Sequence, residues 1–175
     1  YDPSKEYAYS TIDTPHRVNF TPIYALPFGK GRPFMNGGGW TDKAFGGWSF
    51  TPILRGSSGR PFNLLSGIEN NNDRHNTTDR PFFAGRNTGL GPNTWTFDSR
   101  LTRRLQLGER ASLDLLLEGF NVFNRLNYSS VNNTVGNLAP PFRVTGRDDR
   151  GPSDPLGFTA ALDARRIQLG LRISF

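Results

Sequence analysis

Residues 165–175, RRIQLGLRISF, decide the fold. Ile167, Leu169, Leu171, Ile173 and Phe175 are apolar, while Arg166, Gln168, Gly170, Arg172 and Ser174 between them are polar or small. This is period-two alternation over one strand length, running to an aromatic residue. In water, large apolar side chains on one strand face need a protein core to cover them. In a bilayer, lipid suffices. A tilted transmembrane β-strand takes about nine to eleven residues, the length found here.

The same alternation recurs upstream and predicts five strands. The fourth, 111–124, sets Leu113, Leu115 and Leu117 against Ser112, Asp114, Leu116 and Glu118. The third, 94–107, sets Trp95, Phe97, Leu101, Leu105 and Leu107 against Thr96, Asp98, Arg100, Thr102, Arg104 and Gln106. Arg103 falls on its apolar face near the strand end, where a long side chain can snorkel to an interface. The second, 47–57, alternates Trp48, Phe50, Pro52 and Leu54 with Ser49, Thr51, Ile53 and Arg55. The first, 16–26, alternates Val18, Phe20, Pro22, Tyr24 and Leu26 with Arg17, Asn19, Thr21, Ile23 and Ala25. Pro22 and Pro52 sit in an echo, FTPI at 20–23 and at 50–53, and each removes a ladder donor, so a local irregularity is expected at both.

The connections are unequal. A tight turn at 107–110 joins strands three and four, and 28–46, with a triple glycine at 37–39, joins strands one and two. By contrast, 64–92 and 128–160 are long and rich in Gly, Pro, Asn and Asp. Soluble domains rarely hold two structureless loops of such length, whereas outer-membrane barrels have short periplasmic turns and long extracellular loops. With Phe175 at the periplasmic side, the turn at Gly108 is periplasmic and both long loops are external. The expected fold is therefore all-β, an antiparallel transmembrane barrel segment. On that reading Phe20, Tyr24, Trp48, Phe50, Trp95, Phe97, Leu113, Leu115 and Leu117 face lipid, and Asp98, Arg100, Arg104, Asp114 and Glu118 face the lumen.

Composition agrees. Of 175 residues only 35% are hydrophobic, yet 13% are aromatic, with 20 Gly and 13 Pro. That is lean for a water-soluble core and too aromatic for disorder, but it suits a barrel with outward aromatics and polar loops. No apolar run approaches the roughly eighteen residues of a transmembrane helix. The absence of cysteine excludes disulfides and thiolate metal sites. The net charge of +6 is spread over strands and loops among acidic residues, so nucleic acid is not expected as a partner. Because the chain opens at Tyr1 without a signal segment while its end reads as a finished strand, it is expected to be the C-terminal piece, 1–175, of a longer protein.

Longer stretches resemble a known family. DTPHRVNFTPIYALPFGKGRPF (13–34) is similar to the passage in TonB-dependent outer-membrane receptors of the Oar-like, carboxypeptidase-regulatory-domain type, where an Arg-led strand runs into an LPFGKG turn. GGWSFTPILRGSSGRPFNL (46–64) resembles the same family, and SLDLLLEGFNVFNRLNY (112–128) matches its E-x-FN-x-FN strand through Glu118, Phe120, Asn121, Phe123 and Asn124. The closing strand, with Ile167, Leu169, Leu171, Ile173 and Phe175, resembles the signal read by the barrel-assembly machinery. The resemblance implies a 22-stranded barrel with an N-terminal plug, energised through a periplasmic coupling protein for nutrient uptake across the outer membrane. This chain would supply about the last five strands, with plug, coupling box and remaining strands outside it.

No catalytic, cofactor or metal constellation emerges, so no enzyme activity is expected. His16 and His75 lack partners at ligand spacing. Gly29-Lys30-Gly31 lacks phosphate-loop spacing and reads as turn chemistry. The Asn-x-Thr triplets at 76–78 and 132–134 are incidental to Asn-rich loops. The lumenal set reads as cross-strand salt pairing, with contacts to a plug or a passing substrate as the functional alternative. Asn121 and Asn124 are expected to close a bulge or side-chain ladder at the outer rim. Residues 70–74 and 147–150 are ligand candidates by location alone. Two other architectures fit less well. One is a secreted β-sandwich binding polysaccharide, which requires Trp48, Phe50, Trp95 and Leu171 inside a two-layer core. The other is a short-strand oligomeric barrel.

Overall fold

The computed structural model describes residues 3–74, 77–137 and 149–175. After a single 3-10 turn, Pro3–Glu6, the strands are β1 (Arg17–Phe20), β2 (Tyr24–Ala25), β3 (Trp48–Ser57), β4 (Pro61–Phe62), β5 (Gly89–Leu90), β6 (Thr94–Gln106), β7 (Ser112–Phe120), β8 (Tyr128–Val131), β9 (Phe158–Ala161) and β10 (Arg166–Ser174). A short helix, α1 (Trp40–Phe45), precedes β3. The main sheet runs β1-β3-β6-β7-β10, with β2 also on β3. β4-β5 and β8-β9 form two further small antiparallel sheets.

The chain forms two compact units. The sheet unit comprises Val18–Arg55, Thr96–Arg125 and Asp163–Phe175, and the loop unit comprises Tyr1–Arg17, Gly56–Trp95 and Leu126–Leu162.

In the sheet unit the alternation read from the sequence becomes two faces. β10 pairs β7 from Arg166↔Phe120 to Ser174↔Ser112, and β6 pairs β7 from Ser99↔Gly119 to Gln106↔Ser112. Opposite residues share a face, so Leu101, Leu105, Leu113, Leu115, Leu117, Leu169, Leu171 and Ile173 form one apolar surface. Ile167, Leu169, Leu171 and Ile173 are between 65% and 80% exposed. Each such side chain left in water forgoes about 1.5–3 kcal/mol of burial, which lipid contact restores. The sandwich alternative fails on this face, because Leu171 is 75% exposed rather than enclosed.

The proline expectation holds at one position only. Continuing the Tyr24↔Phe50 and Ala25↔Ser49 register places Pro22 opposite Pro52. The same register carries on to His16 and Ser58, where the Ser58 N–H donates to the His16 carbonyl at 2.9 Å. Neither proline has an N–H to offer, so the ladder lapses between β1 and β2, and the single strand expected at 16–26 divides there. β3, which pairs β6 on its other side, passes through Pro52 unbroken. The fourth strand also stops earlier than expected, at Phe120, because Asn121 takes a positive φ of 47°.

The larger correction concerns the long connections, which are not structureless. They supply most of the loop unit and all the buried apolar side chains of the described residues apart from proline: Leu64, Ala84 and Leu156, on which Phe62, Val131 and Val135 pack. A parallel bridge, Leu65↔Thr134, joins the two loops. It is flanked by bonds from the Leu65 N–H to the Asn133 carbonyl and from the Val135 N–H to the Leu65 carbonyl, both 2.8 Å. Arg80 pairs with Glu6, and the Arg86 N–H donates to the Lys5 carbonyl at 2.8 Å, which docks the 3-10 turn.

Candidate functional site

The polar face of the sheet is the first candidate. The register sets Arg100 opposite Glu118 and Arg104 opposite Asp114. Both pairs close as charge-assisted hydrogen bonds. Arg100 Nε reaches Glu118 Oε1 at 2.6 Å, and Arg104 grips Asp114 through Nε at 2.7 Å and a terminal nitrogen at 3.0 Å. β10 extends the rows: Gln168 donates to Glu118 Oε2 at 3.3 Å, and Arg172 stands opposite Asp114. Asp98 pairs with Arg55 of β3 and accepts the Asn121 N–H at 2.8 Å. All five polar residues singled out in the sequence therefore lie on one face and are engaged in cross-strand pairs. Asp98 and Asp114 are buried, whereas their arginine partners are half or more exposed.

At the end of β7 the FN-x-FN residues act as fasteners. Asn121 (φ 47°) and Asn124 (φ 51°) both occupy the left-handed region, which asparagine tolerates better than most residues. The Asn121 amide donates to the carbonyls of Arg125 (2.9 Å) and Asp163 (3.1 Å), and its Oδ1 accepts the Arg125 N–H at 3.0 Å. Asn124 Oδ1 accepts the Arg165 N–H at 3.0 Å. The two side chains thereby tie the exit of β7 to the residues that lead into β10. Asn127, 1% exposed in the loop unit, accepts from the Trp95 N–H (3.0 Å) and donates to the Trp95 carbonyl (2.8 Å), as a neighbouring strand would.

The loop unit holds the second candidate, a cleft of about 700 Å³. Its walls carry the hydroxyls of Ser57, Ser58, Thr94 and Ser130, the ring of Tyr128 and one cation, Arg60. Tyr128 stacks on Phe158 with ring centroids 3.7 Å apart, which fixes that wall. At its floor a Cβ on Gly59 would lie 1.8 Å from the Gly91 carbonyl oxygen, so only glycine admits this approach. Phe62, Val131 and Leu162 complete the lining, and the Ser57 and Thr94 hydroxyls bond to each other at 3.1 Å.

Comparison with known proteins bears on most of the chain. Residues 1–88 and 83–168 match the family described as outer membrane beta barrel domain. The chain belongs to that family. No curated protein and no solved structure matches it significantly. As an outer membrane beta barrel domain, the protein resides in the outer membrane. Its amphipathic sheet, open at β10 in this chain, is a stretch of barrel wall.

Several of the remaining loop candidates make contacts within the loops. Asn70 and Asn137 exchange amide hydrogen bonds at 3.2 and 2.9 Å, linking the two long loops. Glu69, Asp73 and Asp79 bring carboxylate oxygens within 4.8 Å of one another. Glu69 accepts the N–H groups of Asn71 and Asp73, and Asp79 accepts that of Asn70, so the cluster organises its own turn. His16 contributes main-chain bonds to Ser58. His75, Asn76, Arg147 and Asp148 lie outside the described residues, while Arg150 donates to the Pro155 carbonyl at 2.8 Å. The sequence reading missed the cleft, whose lining comes from four separated segments. It also missed Asn127, which no local pattern distinguishes from other loop asparagines.

Proposed function

We propose that this outer membrane beta barrel domain is the C-terminal part of a TonB-dependent receptor that takes up a scarce nutrient. It supplies wall, external loops and the assembly signal. The observation that carries this reading is the division of polarity across one sheet, with an exposed aliphatic face on one side and salt-linked rows on the other. The resemblance of 13–34, 46–64 and 112–128 to the Oar-like receptors supports the finer assignment. On this reading the nine lipid-facing residues named above contact the bilayer, and the five paired charges line the lumen. Ile167, Leu169, Leu171, Ile173 and Phe175 are read by the barrel-assembly machinery. The partners are membrane lipid, that machinery, the plug and strands outside this chain, and a periplasmic energy-coupling protein. The role is not catalytic and needs no cofactor. The loop cleft is where a solute is first met.

The test is uptake by cells carrying the intact protein. A labelled nutrient mixture should accumulate only when the gene is present and the inner membrane is energised, and a protonophore should abolish accumulation. Uptake insensitive to the protonophore would mean a passive pore. Cysteine placed at Gly108 should react only with reagents that reach the periplasm, and cysteine at Asn133 with impermeant external reagents.

A further inference from the structure

The connection 27–47 also departs from the sequence reading. The sequence reading gave it a turn at Gly29-Lys30-Gly31 and a triple glycine but no helix, yet it is a built element held by residues of the apolar face. Gly29 and Gly46 meet so closely that a Cβ on Gly29 would lie 2.6 Å from the Gly46 Cα. Asp42 accepts the Lys30 N–H, the Gly29 N–H donates to the Phe34 carbonyl at 2.9 Å, and Gly31 donates to Asn36 Oδ1 at 2.8 Å. Trp48 and Arg103, both on the apolar face, hold the end of α1. Trp48 Nε1 donates to the Ala44 carbonyl at 3.2 Å. The Arg103 guanidinium donates to the carbonyls of Lys43 and Ala44 while lying 5.8 Å from the Trp48 ring. A cation at a helix C-terminus satisfies the open carbonyls and the helix dipole together.

Docked this way, the element leaves its apolar and basic side chains outward. Trp40 is 75% exposed, and Phe34, Met35 and Phe45 are also exposed. Lys30, Arg32 and Lys43 are exposed beside them. The connection's one acid, Asp42, is half-buried and engaged with Lys30. Aromatic rings with an unneutralised cationic fringe match a bilayer interface, where rings sit at headgroup depth and cations meet phosphate. The element adjoins the apolar face through Trp48 and Arg103, so the lipid that covers that face is the occupant argued for here.

We propose that 27–47 is a bilayer anchor that inserts Trp40 and Phe34 at headgroup depth and gathers phosphate-bearing anionic phospholipid through Lys30, Arg32 and Lys43. Near an anionic surface each Lys or Arg is worth about fivefold in affinity, so three yield a readable enrichment. The experiment places the protein in mixed phosphatidylcholine and phosphatidylglycerol vesicles. Either lipid carries bromine near the glycerol end of its chains, at equal bulk fraction. The Trp40 signal is the difference between wild type and Trp40→Phe, after heat-modifiable migration shows both folded. Brominated phosphatidylglycerol should quench Trp40 several-fold more than brominated phosphatidylcholine, and K30Q/R32Q/K43Q should bring the ratio to about one. Equal quenching in the wild type overturns the anionic-lipid assignment. A Trp40 that neither lipid quenches and iodide reaches freely overturns the anchor itself.

Discussion

The sheet unit and the loop unit solve the same problem, ordering a chain that is only 35% hydrophobic, in opposite ways. The sheet turns its aliphatic side chains outward and joins its polar ones into rows. The loop unit turns Leu64 and Leu156 inward at 1% and 0% exposure and joins its strands with asparagine amides. The difference lies in the solvent each meets. Where lipid is the surroundings, an exposed leucine is at home and a lone charge is expensive. Where water is the surroundings, the order reverses.

Variants that exchange these environments should break the contrast. The largest effect is expected from Leu115→Arg with Leu171→Arg, which oppose each other across β7 and β10. An arginine on the lipid face costs up to about 2–4 kcal/mol, depending on depth, and two like charges face to face add repulsion. Insertion into vesicles, read by heat-modifiable migration, should be lost. The same change at Phe82, exposed in the loop unit, should leave insertion and stability within about 0.5 kcal/mol. If Leu115 and Leu171 tolerate arginine as Phe82 does, the sheet does not face lipid.

Next comes Leu64→Ala. It opens a cavity costing about 2–5 kcal/mol, but only in the loop unit. Limited proteolysis within 56–95 should accelerate while the barrel still inserts. Asn121→Ala removes the partners of two carbonyls and one N–H, for about 1–3 kcal/mol. Asn121→Gly preserves the left-handed backbone, so its urea midpoint separates side-chain bonds from strain. The smallest effect is expected from Arg100→Gln. Its pair with Glu118 is half exposed and worth at most about 1 kcal/mol, and the change should be undetectable in high salt.

The sheet was legible because its rule is local. Parity along a strand fixes the face: odd residues are mostly apolar and even ones mostly polar in β6, β7 and β10, and the tight turn at 107–110 then sets Arg104 beside Asp114. The lapse at Pro22 was half legible. The echo FTPI is visible, but that the two prolines face each other depends on a register no single strand encodes. The loop unit was not legible, because its core draws Leu64, Ala84 and Leu156 from distant places with no period between them. Helix α1 escaped for a related reason. WTDKAF is short, flanked by glycine, and held by Trp48 and Arg103 rather than by its own propensity. Of the candidate site, the charged rows could be read ahead of the structure, whereas the cleft could not.

The fasteners Asn121 and Asn124 have one more consequence. They bridge 42 and 41 positions of chain, to Asp163 and Arg165. Closing a longer loop costs only slowly more entropy, so the intervening excursion can lengthen, shorten or be rewritten at little expense. What fixes where β10 starts is then a pair of side chains at the base of the excursion, not its contents. A barrel wall tied in this way can change its external excursion, generation after generation, without disturbing the alignment of its final strand.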